Sequence, residues 1–150
     1  MTEQEELISK EQELKQVLLS YHNQRELYRA LVQRARALES LKEAERSDDT
    51  LVPACLSKLW LVSSWEGERI FFRVDGESLI AKGLASLLLE LFNGHSGSVI
   101  QAHRCALFES EGLRYLLPSS KRNGLSQLLA RIYAAAAYTS CPGLPSTRKS

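Results

Sequence analysis

The sequence predicts an α+β fold in a single domain. Two strand-like runs follow each other directly at about 56–74, which favours a hairpin over a strand–helix–strand crossover. Helical periodicity flanks them on both sides, over residues 3–45 and again from about 78 onward. The chain has 150 residues, 44% of them hydrophobic. That suits one core burying roughly two thirds of the unfolded surface. The expected architecture is an antiparallel sheet begun by the hairpin. Helices at the N-terminus and in the C-terminal half pack around it.

Leu7, Ile8, Leu14, Val17 and Leu18 recur at three- and four-residue steps, as do Leu27, Leu31, Val32 and Leu38. "SYHNQ" at 20–24 divides this stretch into two helices, with Ser20 or Asn23 capping the second. "RSDDTLVPA" at 46–54 reads as a loop, because Pro53 suits neither a helix nor a central strand. "LSKLWLVSSW" and "ERIFFRV" alternate in polarity, and Glu66-Gly67 supplies the turn between them. A helix runs from about Ser78 to Phe92 and closes at Asn93-Gly94. It is apolar around most of its circumference, as a helix in mid-domain is. Gly83 inside it costs about 1 kcal/mol against alanine, so a neighbour is expected to approach closely there. "SGSVIQ" and "AHRCALFES" read as one or two short helices, "GLRYLLPSSKRNG" as a loop or short extended piece. "LSQLLARIYAAAAY" is the last helix. The domain is expected to span 1–140, with a disordered tail at 141–150.

Nineteen basic and eighteen acidic residues leave a net charge of +1. Nothing in that balance draws the chain to nucleic acid or to an anionic membrane. The acid-rich start fits neither a signal nor a transit peptide, and no run approaches the roughly 18 apolar residues of a membrane span. The expected location is the cytoplasm. Three cysteines without a CxxC pair argue against a disulfide framework and against zinc; no metal site is expected. GxSxG, the P-loop and the dinucleotide fingerprint are absent. His22 and His103 read as surface histidines, Asp48-Asp49 as a solvated pair, Cys105 as inert core filler in a helix-like segment, and Cys141 as a tail residue.

Cys55 stands apart. It follows the turn-rich loop and precedes a rigid strand, a boundary where functional groups concentrate. Its neighbours are small or apolar, which keeps a thiol quiet. A thiol quiet at rest on a mobile loop suits a carrier better than a hydrolase. A hydrolase would require a histidine within reach of that thiol, with His95 and His103 the candidates.

"VPACLSKLWLV", "VDGESLIAKGLASLLLELFNG" and "SKRNGLSQLLARIYAAA" occur in that order between about Leu51 and Ala137. In combination they resemble the SufE family of sulfur acceptor proteins. The resemblance implies that Cys55 carries the sulfur, taken as persulfide from a SufS-like cysteine desulfurase whose turnover is stimulated. The sulfur then passes to a downstream cluster scaffold for iron–sulfur assembly. Ser57 and Trp60 stand at matching places, as do Asp75, in a loop near the cysteine loop, and the Lys82-Gly83 pair. Lys121 falls where an arginine is usual, on the surface that meets the desulfurase, and Ala54 replaces the usual glycine. The resemblance also places Asn-Gly-Leu at the opening of the last helix. No cofactor is expected on this chain, since the pyridoxal phosphate belongs to the desulfurase. The expected state is a monomer or weak homodimer. On docking, the loop 46–56 would swing. The rival reading is a regulatory module that binds a desulfurase or another enzyme without carrying sulfur.

Overall fold

Thr2 accepts the amide of Glu5 while the Glu5 carboxylate accepts that of Thr2, a reciprocal cap that starts helix α1 (Glu3–Leu19). Asn23 accepts the Glu26 amide and starts α2 (Gln24–Ala37). The break expected at 20–24 is therefore present, with Asn23 as the cap. The computed structural model describes residues 1–53 and 57–138. Leu7, Leu14, Leu18, Leu27 and Leu31 enter the core, whereas Ile8 and Val17, from the same apolar series, face solvent. The helical reading to residue 45 overshoots. Past Ala37 the chain leaves the helix and makes only a 3-10 turn at Glu43–Glu45.

Strands β1 (Leu59–Glu66) and β2 (Arg69–Gly76) pair antiparallel from Leu59↔Gly76 to Glu66↔Arg69. The turn residues are thus Gly67 and Glu68, one place later than expected, because Gly67 takes φ +65 in the first loop position. Leu59, Leu61 and Ser63 turn one face inward with their partners Phe72 and Val74. The free edge of β2 is closed in two ways. β3 (His95–Ser96) pairs with Arg69 and Ile70, and the Asn93 side chain bonds both the amide and the carbonyl of Phe72.

Helix α3 (Leu79–Phe92) lies at the centre of the core, capped by Ser78 as expected. A methyl group on Gly83 would sit 2.2 Å from the Leu31 carbonyl oxygen of α2. This is the close approach the sequence led one to expect. α4 (Gly97–Ala102) follows β3, and α5 (Glu111–Leu116) precedes the long α6 (Ser119–Ala137). Here the sequence reading fails in two places. Residues 111–116 and 119–124 are helical rather than loop, because Pro118 serves as a cap between them and Asn123-Gly124 lie inside α6. Residues 103–110 carry no helix.

The architecture is α+β, a three-stranded sheet ordered β1-β2-β3 with the helices around it. Among the described residues no helix is long and apolar enough to cross a membrane. The tail expected at 141–150 lies outside the described residues.

Candidate functional site

Cys55 and Ala54 lie outside the described residues, as does Cys141. The chain on both sides of Cys55 is defined. Before it, a turn ends at Thr50 and Leu51 bridges antiparallel to Trp60 of β1, so that residues 49–52 form a short strip beside that strand. The Val52 amide donates to the Leu59 carbonyl and the Leu61 amide to the Thr50 carbonyl, each at 2.8 Å. Thr50 is 4% exposed, and its hydroxyl donates to the Glu45 carbonyl. On the other side of the strip, Arg131 of α6 donates to the carbonyls of Leu51 (2.9 Å) and Asp49 (3.1 Å). After Cys55, the Lys58 amide donates to Glu77 and the Lys58 carbonyl accepts from the Glu77 amide. Residues 49–52 are held to β1 and α6 by these bonds, which counts against a loop swinging over the whole of 46–56; residues 54–56 of that expectation lie outside the described residues.

A cavity of about 50 Å³ opens beside the end of this segment. Ser57 and Leu59 line one wall, Ala81 and Leu84 of α3 another, and Ser120, Lys121, Gly124 and Leu125 of α6 the third. Its lining is largely apolar, and Lys121 is the one charged residue among the described residues that line it. Ligand pockets for small molecules hold roughly 300–1,000 Å³, whereas a single water needs about 10–15 Å³. At about 50 Å³ the cavity lies well below that range and above the room one water needs. Two wider grooves, of about 330 and 540 Å³, run along α2 and are lined by neither cysteine nor histidine.

Of the residues singled out in the sequence, Ser57 and Lys121 meet at this cavity. Trp60 and Asp75 do not; they face each other across the hairpin on the outer side of the sheet. Asp75 is a strand residue, not a loop residue, and is 5% exposed. Its carboxylate accepts from the Leu41 and Gly76 amides, pairs with buried Lys82 at 3.2 Å, and lies 3.7 Å from Arg46. Burial works against its charge, but these hydrogen bonds and Lys82 outweigh it and hold the carboxyl below its ordinary value. The Arg46 guanidinium covers the Trp60 ring, 5.9 Å from its centroid. Arg73 bonds Glu45. The segment 41–46 is thereby strapped across the outer face of the hairpin. Asp75 supports the connector that leads to the cysteine.

The sequence reading missed Arg131, Arg46 and the Asp75–Lys82 pair. One signal was available: a lysine in a helix apolar on most sides calls for a buried counter-charge.

The histidines occupy different ground. His103 is buried, not superficial, and its Nε2 lies 2.6 Å from the Glu11 carboxylate. His95 Nδ1 lies 3.2 Å from Glu3. His95 pairs with Ile70 and the hairpin entry with Gly76, which separates them by roughly 20 Å of strand. Both histidines serve to hold α1. Cys105 is 6% exposed in an irregular segment, and burial pushes its thiol up to about 12, which keeps it un-ionised and inert.

Comparison with known proteins places the chain in a family context. The pattern of the SufE family, described as the Fe-S metabolism associated domain, matches residues 12–136. An uncharacterized SufE-like protein of Rhizobium etli is 31% identical over 110 residues, covering 70% of this chain and 74% of that protein. The sulfur acceptor protein CsdE of Escherichia coli K12 is also 31% identical over 110 residues, covering 72% and 75%. The solution structure of a hypothetical protein from Thermus thermophilus shares the fold. It has a TM-score of 0.68 at 17% identity, over 85% of this chain and 93% of that one.

Proposed function

The chain belongs to the SufE family, and from that premise we propose that it is a sulfur carrier whose acceptor is Cys55. A sulfur acceptor role holds at the level of the family, and its members act with cysteine desulfurases. On this reading the Cys55 thiol first loses its proton. The thiolate attacks the outer sulfur of a persulfide on the desulfurase. The donor's S–S bond breaks as the new one forms, and the donor cysteine leaves as thiolate. No net oxidation occurs, so the step needs no further reagent. The desulfurase is the SufS-like partner and is stimulated by removal of its product. The sulfur goes on to a scaffold for iron–sulfur clusters.

The observation that carries this reading is the cavity between Ser57, α3 and α6. It is a small cavity, and Ser57, two residues after Cys55, lines it. Its largely apolar lining would shelter the product from reductant. Lys121 at its edge would favour the thiolate during transfer.

The test mixes the protein with a cysteine desulfurase and radiolabelled cysteine, without reductant, and maps the label by peptide. Cys55→Ser should take up none. Equal uptake by Cys55→Ser, or its loss in Cys105→Ser, would overturn the assignment. Stimulation of desulfurase turnover that survives Cys55→Ser would instead support the regulatory reading.

A further inference from the structure

Arg131 of α6 bonds the strip leading to Cys55 through two carbonyls. The carbonyls of residues 49–51 divide between two partners. The Thr50 carbonyl goes to β1, where it accepts the Leu61 amide, while those of Asp49 and Leu51 point to α6. Without Arg131 these last two carbonyls would face α6 with no donor among the described residues. The guanidinium fork satisfies both at once, as a lysine ammonium on its flexible stem does less well. Ten residues earlier on the same helix, about 15 Å away, Lys121 lines the cavity beside Ser57. The chain thus meets one cation of α6 at Leu51 and another beside Ser57.

We propose that Arg131 is a positioning residue for the sulfur-carrying thiol: by clamping the Asp49 and Leu51 carbonyls to α6 it fixes the anchor from which the chain reaches Cys55. The inference rests on Cys55 as acceptor, but the clamp itself acts on the chain before any partner arrives. Loss of the clamp frees the strip on its α6 side while β1 still holds the other. The anchor at residues 49–51 then loosens, the reactivity of Cys55 should rise with it, and the fold beyond the strip is unaffected.

The experiment is alkylation of the full chain by iodoacetamide, followed by peptide mass spectrometry at Cys55 and Cys105. In Arg131→Ala the rate at Cys55 should rise about fivefold while that at buried Cys105 stays within about twofold, since a charged donor to carbonyls is lost and the core is not. Arg131→Lys should fall between, because one carbonyl can still be reached. An unchanged rate at Cys55 in Arg131→Ala overturns the proposal. So does a parallel rise at Cys105, which would mark general loosening. Alkylation needs no sulfur donor. If Cys55 of the unaltered protein never acquires labelled sulfur, the carrier reading fails while the alkylation result still decides the role of Arg131.

Discussion

Asp75 and Lys82 form a charge pair almost wholly out of solvent, at 5% and 4% exposure. Breaking such a pair leaves a buried charge uncompensated. Lys82→Met should therefore cost about 3 kcal/mol in urea unfolding; a loss under about 1 kcal/mol would mean that the Leu41 and Gly76 amides alone satisfy the carboxylate. The same site sets a pH dependence. The carboxyl is held below its ordinary 3.8, so its stabilisation is complete above that value and drains away as pH falls through the folded value. Glu45, brought down to about 2 from 4.5 by its bonds to Arg73 and the Lys42 amide, acts in the same sense. Unfolding free energy should decline below about pH 4.5, and less steeply in Asp75→Asn. At this scale the sequence marked Asp75 and Lys82 separately, by resemblance. Their contact spans a strand and a helix, and no local pattern reports it.

At the scale of elements, α3 shows what sequence can reveal. Ser78, Asn93 and the all-round apolar face announced its ends and its burial, and Gly83 announced a close neighbour. Gly83→Ala would gain about 1 kcal/mol of helix propensity. It would also force a methyl group against the Leu31 carbonyl oxygen, 2.2 Å away, and that contact dominates. The expected net loss is about 2 kcal/mol, read as a fall in melting temperature of roughly 4–8 °C. A variant that melts higher than the parent would show that α2 yields at little cost. α5 and the start of α6 were illegible for the opposite reason. Pro118, Asn123 and Gly124 are turn residues by propensity, yet Leu113, Leu116 and Leu125 bury apolar side chains on helical spacing. Tertiary packing overrode the local signal. The irregular 103–110 segment likewise depends on distant partners, with Glu11 accepting the Ala106 amide and the Tyr133 hydroxyl accepting that of Cys105.

Over the whole molecule, α1 is integral to the fold. Leu7, Leu14 and Leu18 are at most 4% exposed. Glu3 and Glu11 also fasten α1 to β3 and to the segment after α4 through His95, Ser96, His103 and Ala106. Each buried leucine contributes roughly 2–5 kcal/mol when truncated to alanine, against a typical total of about 5–15 kcal/mol. A chain beginning at Asn23 should lose its cooperative thermal transition in calorimetry. A sharp transition in that fragment would show the rest to be self-sufficient. The outline of the domain, hairpin then central helix then long last helix, was legible because each part has its own periodicity. The cavity was not, since Ser57, Leu84 and Lys121 meet only in the folded chain.

The double anchorage of the cysteine segment has a geometric corollary. Cys55 is three residues from Val52, held by β1, and three from Lys58, held by Glu77. Even a fully extended chain spans only about 10 Å over three residues. Cys55 therefore works on a short leash, in contrast to prosthetic arms that sweep between distant centres. On the proposed carrier role, delivery would depend on whole-body docking, and a donor whose sulfur lay much deeper than that leash would have to extend its own loop outward.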